Sequence, residues 1–297
     1  MPAVIEEQFA DVGQGIKLCY QSFGDAGDPT VLLIMGLGTQ LLGWHHDFCA
    51  MVAERGFRVV RFDNRDIGRS THLDQVPPPN LGQILRRRVR AGYLLSDMAQ
   101  DAAGLLDALD APTAHVVGAS MGGMIAQTLA AREPDRVESL VSIMSSTGNR
   151  WVGQPRARTY PIFLKAPPRG REAYVEHTVR LFGVIGSPGF ERDDESLRQL
   201  AGASYDRGRG RAGTMRQLAA IIASGDRTAE LRRIVAPTLV IHGAADGLIA
   251  SSGGRATAKA IPGAKLLPIA GMGHDLPRGA WQQIVDGIVA TAALSRA

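Results

Sequence analysis

Residues 114–131 read AHVVGASMGGMIAQTLAA, a short β-branched run followed almost at once by an Ala- and Leu-rich helical run. So abrupt a turn from strand to helix brings two backbones close together. Only small residues fit beside it, which accounts for Gly118, Gly122 and Gly123. Ser120 lies at the apex, where we expect a strained backbone and a side chain that points out of the sheet edge. This Gly-x-Ser-x-Gly pattern predicts a nucleophile elbow, although alone it would fit a structural turn equally well.

Around this stretch, apolar runs typical of strands alternate with helical patterns. The predicted strands cover residues 4–9, 16–23, 31–35, 57–62, 115–117, 137–144, 238–242 and 265–269. The alternation after an initial hairpin predicts an α/β fold with a mostly parallel, doubly wound sheet and helices on both faces. Ligands of such sheets bind beyond the carboxyl ends of the strands. This rule brings the loop at Gly36, Ser120, the turn after His242 and the turn after Ile269 to one edge.

Residues 149–233 break the alternation, because they contain helical runs separated by Gly- and Pro-containing turns and no clear strand. We interpret them as a helical cap inserted into the sheet domain. The predicted organisation is therefore a core made of residues 1–148 and 234–297, and a cap made of residues 149–233.

Composition excludes several classes of protein. The net charge of +4 is modest, and no apolar stretch is long enough to span a membrane. The basic run at residues 86–90 has no interleaved aromatic residues, so we expect a solvated helix face and no nucleic-acid partner. The N-terminus shows no signal peptide, and Cys19 and Cys49 make no disulfide framework. We therefore expect a cytoplasmic protein with two buried thiols.

A rival interpretation concerns residues 31–63, where a strand, a Gly-x-G loop, a helix and a strand ending in Asp63 approach a dinucleotide-binding fingerprint. Leu41 stands where the third glycine of that fingerprint belongs. The incomplete pattern does not favour a nucleotide cofactor.

Ser120 needs a base, since a serine hydroxyl is a poor nucleophile at neutral pH. The predicted fold requires this base after the last strand, and His274 is there. The imidazole in turn needs a carboxylate to orient it, and Asp246 follows the penultimate strand. Asp275 is adjacent to His274 in sequence and can hardly fold back onto that ring, so we expect a surface or turn role for it.

Acyl transfer also needs donors for a developing oxyanion. The backbone N–H of Met121 follows the nucleophile, and the N–H of Leu37 comes from the loop after the third strand. These two residues are apolar, and so are the others that we expect to line the substrate pocket. The further predicted pocket residues are Met144, Trp151, Phe182, Met215, Leu248 and Met272. Flexible, polarisable methionines suit an irregular apolar ligand.

Together, residues 118–122, Asp246, His274, the Gly36 loop and residues 63–70 resemble the α/β-hydrolase superfamily, including its Ser–Asp–His chain order. Met35-Gly36 replaces the usual His-Gly of the oxyanion loop. With residues 62–70 and 268–277, this variant is similar to the aclacinomycin methylesterase group of bacterial esterases. The usual histidine helps to fix the oxyanion loop, so another group must do so here.

The resemblance implies hydrolysis of a small-molecule carboxylic ester without a cofactor or metal. The apolar rim favours an apolar acyl group, and we expect a small-alcohol ester, for example a methyl ester. Two alternatives stay open. One is a cofactor-free haloperoxidase or perhydrolase that uses the same triad, and the other is a non-catalytic ligand receptor with the hydrolase fold. The sequence makes no prediction of the oligomeric state.

Overall fold

The computed structural model describes residues 6–159, 168, 170–208 and 210–296, and in it the apolar runs form one eight-stranded sheet. The strands are β1 (Gln8–Asp11), β2 (Lys17–Phe23), β3 (Thr30–Ile34), β4 (Arg58–Phe62), β5 (Ala114–Ala119), β6 (Val137–Ile143), β7 (Thr238–Gly243) and β8 (Lys265–Ile269). The helices are α1 (His46–Ala53), α2 (Leu81–Leu85), α3 (Leu95–Ala108), α4 (Met121–Arg132), α5 (Arg171–Ile185), α6 (Asp194–Asp206), α7 (Arg211–Ser224), α8 (Thr228–Leu231), α9 (Ser252–Ala260) and α10 (Trp281–Ala293).

The strand order is β1-β2-β4-β3-β5-β6-β7-β8. The pairs β1–β2 and β2–β4 are antiparallel, and every later pair is parallel. This arrangement confirms the predicted doubly wound sheet. The chain passes outward from β3 to β4 and then returns to the other side of β3 to form β5. The strand order therefore reverses between β3 and β5, and such a switch point is where open α/β sheets bind ligands.

The central strands are buried on both faces, which explains their continuous apolar sequences. In β3, Leu32 and Ile34 belong to the apolar layer that also contains residues of α3 and α4. Val31 and Leu33 point to the opposite layer, which contains residues of α1 and α10. Successive side chains alternate between the two layers because side chains of a strand point to opposite faces of its sheet.

Between β6 and β7, the described residues form α5 to α8 and no strand. Helices α5 and α6 pack against each other, and α7 also contacts α3 of the sheet domain. The described part of this segment is therefore helical, and its assignment as a cap with boundaries at residues 149 and 233 stays a prediction. Across the described ranges, no helix is long and apolar enough to cross a membrane.

Some local predictions were wrong. The sequence predicts Ser96 as the N-cap of a helix that runs to Leu109. Helix α3 instead begins at Leu95, because the Asp97 carboxylate accepts the Leu94 N–H at 2.6 Å and closes the first turn earlier. The basic run at residues 86–90 follows the end of α2 and does not form a helix face, although its arginines are exposed. Strand β1 begins at Gln8, and residues 4 and 5 of the predicted strand lie outside the described residues.

Candidate active site

Ser120 lies at the sharp turn between β5 and α4, with φ of 57° and ψ of −119°. Its N–H donates to the Ile143 carbonyl at 2.9 Å. A Cβ atom on Gly118 would lie 2.1 Å from the Gly122 oxygen, and one on Gly122 would lie 2.0 Å from the Ile34 oxygen. The glycines thus let the helix approach the sheet, as the sequence predicted. The positive φ of Ser120, a non-glycine residue, costs about 1–3 kcal/mol and persists only where the surrounding structure enforces it.

Three side chains from separate loops converge at this turn. The Ser120 Oγ lies 3.0 Å from Nε2 of His274, and Nδ1 of the same ring lies 2.8 Å from Oδ2 of Asp246. The loops follow β5, β8 and β7, so the carboxyl ends of parallel strands deliver all three groups to one edge. A hydroxyl, a base and a carboxylate in this relay have the geometry needed to activate a serine nucleophile.

The turn after β7 fixes the carboxylate. The second oxygen of Asp246 accepts the N–H groups of Leu248 at 2.8 Å and Ile249 at 2.9 Å. A second imidazole, that of His242, lies nearby, but its Nε2 pairs with the Ile249 carbonyl at 2.8 Å and is 3.7 Å from Asp246. Burial lowers the pKa of His242. His242 is therefore neutral and does not compete with His274 for the hydrogen bond to Asp246.

The loop that carries His274 is held by residues between β6 and β7. The His274 N–H donates to the Ile185 carbonyl at 2.7 Å, and the Gly273 N–H donates to the Ser187 Oγ at 2.8 Å. The Ser187 hydroxyl in turn donates to the Asp275 carboxylate. Burial raises the pKa of Asp275. Asp275 is thus a loop anchor that is half-buried, where the sequence analysis expected a surface or turn residue.

The loop after β3 passes directly beside the serine. A Cβ atom on Gly36 would lie 3.1 Å from the Cβ of Ser120. Within the described residues, the N–H groups of Leu37 and Met121 donate no hydrogen bond. Met121 is the first residue of α4, where N–H groups lack an intrahelical acceptor. Both predicted donors are consequently available to a negatively charged oxygen.

Two amide side chains hold this loop, which lacks the usual histidine. Asn64 donates from Nδ2 to the Met35 carbonyl at 2.9 Å. Gln217 accepts the Gly38 N–H at 2.9 Å through Oε1. Asn64 belongs to the 63–70 segment that the sequence analysis singled out, so a signal for it existed. Gln217 lies in α7, far along the chain, and sequence reasoning missed it.

The segment of residues 63–70, here called the Asp-Arg loop, joins the sheet domain to α7. Asp66 receives two hydrogen bonds from Arg216, at 2.6 and 2.9 Å, and one each from the Leu73 N–H and the Tyr93 hydroxyl, both at 2.8 Å. Burial opposes ionisation of Asp66, but these donors outweigh it and lower its pKa. Arg65 forms a similar buried pair with Asp101. Both residues therefore anchor the loop by structural hydrogen bonds, which is the role that the sequence favours for them over direct substrate contact.

Asp63 also has a structural role, because its side chain makes hydrogen bonds inside the protein. Its carboxylate accepts the Leu41 N–H at 2.6 Å and the Arg69 N–H at 3.0 Å, and it pairs with Arg207 at 2.9 Å. The side chain is fully buried. A buried aspartate with these partners has no capacity left for a ribose, which removes the dinucleotide interpretation.

Apart from Trp151, the structure separates the predicted pocket residues into two groups. Leu37, Phe182, Met215 and Leu248 are half-buried and retain surface that a ligand could contact. The second group is buried, and it consists of Met121, Met144 and Met272. Met272 has no exposed surface at all, so it is a core residue and its assignment to the pocket was wrong.

Trp151 needs a second correction. Its side chain is 76% exposed and lies under the guanidinium of Arg150, 4.5 Å from the ring centroid. It lines a surface cleft of about 300 Å³ to which neither Ser120 nor His274 contributes. The pocket assignment rested on the hydrophobicity of Trp151 alone, but the ring instead stacks against the guanidinium of the neighbouring Arg150.

The comparisons with known proteins agree with this architecture. The family model of the alpha/beta hydrolase fold matches residues 29–277, and the chain therefore belongs to this family. Rhodomycin D methylesterase DauP from Streptomyces sp. (strain C5) is 29% identical over 300 residues, covering 93% of this chain and 94% of that enzyme. The resemblance to bacterial methylesterases is thereby confirmed, and the predicted class, a carboxylic-ester hydrolase, agrees with this relative.

Two further similarities bear on function. The "Putative non-heme bromoperoxidase BpoC" from Mycobacterium tuberculosis (strain ATCC 25618 / H37Rv) is 30% identical over 265 residues, covering 87% of this chain and 91% of BpoC. The enol-lactonase from Burkholderia xenovorans LB400 superposes with a TM-score of 0.75 at 25% identity, covering 96% of this chain and all of that one.

Proposed function

We propose that this protein hydrolyses carboxylic esters, with Ser120 as nucleophile, His274 as general base and acid, and Asp246 as the group that orients the imidazole. The observation that carries the proposal is the continuous relay from the strained serine, 3.0 Å to His274 and 2.8 Å onward to Asp246. The methylesterase relative supports the same class of reaction.

The reaction takes place in two halves. The Ser120 Oγ attacks the ester carbonyl while Nε2 of His274 accepts its proton, and the N–H groups of Leu37 and Met121 stabilise the oxyanion. When the tetrahedral intermediate collapses, the C–O bond to the alcohol breaks and His274 protonates the leaving oxygen. Water, deprotonated by His274, then attacks the acyl-enzyme and releases the carboxylic acid and free Ser120.

We further propose that the preferred substrate has a small alcohol, such as methanol, and an apolar acyl group. The half-buried residues Leu37, Phe182, Met215 and Leu248 support the apolar acyl group, because all four are apolar. The methylesterase relative supports the small alcohol. In an apolar pocket, each methylene added to the acyl chain should stabilise the transition state by up to about 0.8 kcal/mol until the pocket is filled. A helical cap formed by residues 149–233 would supply part of the lining.

The test is a substrate series. We expect kcat/KM to rise from p-nitrophenyl acetate towards longer acyl chains, by roughly fourfold per methylene at most. A bulky aromatic methyl ester should also be hydrolysed, and Ser120→Ala should hydrolyse neither. A strict preference for acetate, or faster turnover of anionic succinyl esters, would contradict the apolar pocket. Unchanged activity of Ser120→Ala would contradict the mechanism.

BpoC supports one second candidate, a perhydrolase activity on the same three residues. Acetic acid would acylate Ser120 with loss of water, and hydrogen peroxide would then attack the acyl-enzyme in place of water. The acyl bond to Ser120 breaks and a peracid is released, which oxidises bromide to hypobromous acid and becomes the carboxylic acid again. Bromination of monochlorodimedone in acetate, peroxide and bromide measures it. A rate of bromination above the rate of ester hydrolysis would make this the principal activity.

A further inference from the structure

Helix α7 contacts both the oxyanion loop and the Asp-Arg loop. A Cβ atom on Gly38 would lie 2.8 Å from the Cγ2 of Thr214, and one on Gly213 would lie 1.9 Å from the Asp66 oxygen. One face of this helix therefore rests on the loops that follow β3 and β4. These loops flank the switch point at which Ser120 lies.

Gln217 joins the two loops by hydrogen bonds. Its side chain is fully buried, Oε1 accepts the Gly38 N–H at 2.9 Å, and Nε2 donates to the Arg65 carbonyl at 2.8 Å. Arg65 is itself fixed by a buried pair with Asp101, with N–O distances of 2.6 Å. The amide thus ties the oxyanion loop to an immobilised part of the sheet domain.

The loop needs such an attachment. The Thr39 N–H donates to the Gly36 carbonyl at 3.2 Å, which closes a turn with Gly38 at φ of 66°. Leu37 is the other central residue of this turn, and its N–H is one of the two proposed oxyanion donors. Oxyanion stabilisation requires a donor placed about 2.7–3.1 Å from the developing charge. A turn that shifts therefore weakens the donor without touching the substrate.

We propose that Gln217 is a positioning residue for the oxyanion hole, through which the helix α7 sets the geometry of the Leu37 N–H. The inference rests on the proposed ester hydrolysis. It also accounts for the missing histidine, since Gln217 and Asn64 hydrogen-bond the two ends of the loop, at the Gly38 N–H and the Met35 carbonyl. Oxyanion stabilisation in this protein then depends on a residue contributed by the segment between β6 and β7.

The test uses Gln217→Met, which keeps the volume and removes both hydrogen bonds, with Gln199→Met as the control. Gln199 is exposed on the neighbouring helix α6 and bonds only to Glu195 among the described residues. Loss of an oxyanion donor costs roughly 100- to 1000-fold in kcat, and a displaced donor should cost less, about tenfold. We expect this loss in kcat for Gln217→Met, with KM nearly unchanged, and no change for Gln199→Met.

Inhibitors distinguish positioning from a structural effect. A trifluoromethyl ketone adds to the serine and places an oxyanion in the hole, whereas the matching methyl ketone only occupies the pocket. Gln217→Met should weaken binding of the trifluoromethyl ketone by about tenfold, in parallel with the loss in kcat, and leave binding of the methyl ketone unchanged. Equal weakening of both ketones, or no weakening of either, would overturn the proposal.

Amide exchange gives a readout that does not depend on activity. Hydrogen–deuterium exchange of peptides covering residues 36–40 should be faster in Gln217→Met than in the wild type, and unchanged in Gln199→Met. If Gln217→Met does not fold, Gln217→Asn shortens the side chain by one methylene and should show the same pattern. A wild type that neither hydrolyses esters nor binds the trifluoromethyl ketone would overturn the proposed function as well. An active wild type matched by both variants would overturn only the role of Gln217.

Discussion

Substitution of Arg216 by methionine removes the cation that pairs with Asp66 between α7 and the Asp-Arg loop. The pair is bidentate and buried, with side-chain exposures of 2% and 0%. The variant keeps an unbranched apolar side chain of similar length, but it leaves a carboxylate without its counter-charge. Among the described residues, Asp66 then retains two neutral donors, the Leu73 N–H and the Tyr93 hydroxyl.

Loss of one partner of a buried pair costs about 3–5 kcal/mol. We expect the lower part of this range for Arg216→Met, about 3 kcal/mol, because the two neutral donors continue to solvate the carboxylate. Arg171→Met is the matched control. Arg171 makes the same kind of bidentate pair with Asp206, but both side chains are more than half exposed. Exposed pairs contribute little, so this control should unfold with nearly the wild-type midpoint.

The pH dependence has a defined sign. In the wild type, burial opposes ionisation of Asp66, but Arg216 and the other donors lower its pKa. The pair therefore stabilises the fold at pH values above 3.8, the ordinary pKa of an aspartate. This contribution is lost as the pH falls through the lowered pKa. In Arg216→Met, burial without the cation raises the pKa, and protonation on acidification relieves the cost. The difference in unfolding free energy between the two proteins should therefore shrink as the pH falls from 7 towards 4.

Urea unfolding followed by circular dichroism at several pH values measures both quantities. A loss below about 1 kcal/mol at pH 7, the size expected of a surface pair, would refute the reasoning. So would a difference that widens as the pH falls.

Three further outcomes can be checked with single variants or one reagent. Gly122→Ala should destabilise the fold by about 3 kcal/mol or more, since the added Cβ would lie 2.0 Å from a carbonyl oxygen of β3. The control Gly27→Ala, whose added Cβ would have its nearest neighbour at 3.5 Å, should match the wild type in thermal unfolding. Asp246→Asn should lower kcat by about 10⁴-fold through the wrong histidine tautomer, and Asp275→Asn should be mild; equal severe losses in ester hydrolysis would contradict the assignment. Burial raises the pKa of Cys49 to about 12, so a disulfide reagent should release colour from this thiol only after unfolding, and rapid reaction of the native protein would contradict its burial.

Much of the sheet could be predicted because its strands are apolar on both faces and separated by helical patterns. Strand β8 was predicted at its observed bounds, residues 265–269. Helix starts were less predictable, since a side chain can move them: the Asp97 carboxylate captures the Leu94 N–H and starts α3 before Ser96.

The site was predictable where topology dictates it. Parallel strands end at one edge, so Ser120, Asp246 and His274 had to come close together if the strands were correct. Gln217 and Ser187 could not be predicted, because their partners lie far away in sequence and depend on how the helices between β6 and β7 dock. The pocket assignments of Trp151 and Met272 failed for a related reason: an apolar side chain indicates burial or contact, but not which surface it faces.

The most direct test of the proposed mechanism is reaction of the protein with a fluorophosphonate, followed by mass spectrometry of the modified peptide. We predict a single phosphonylated residue, Ser120, whose formation abolishes ester hydrolysis in step with labelling. Ser120→Ala should take up no label and lose roughly a million-fold in turnover. Ser145 has a competing hydroxyl beside the elbow, and it donates to the Ser120 carbonyl at 2.8 Å. Labelling of Ser145 or Ser146, with Ser120→Ala still active, would contradict the account.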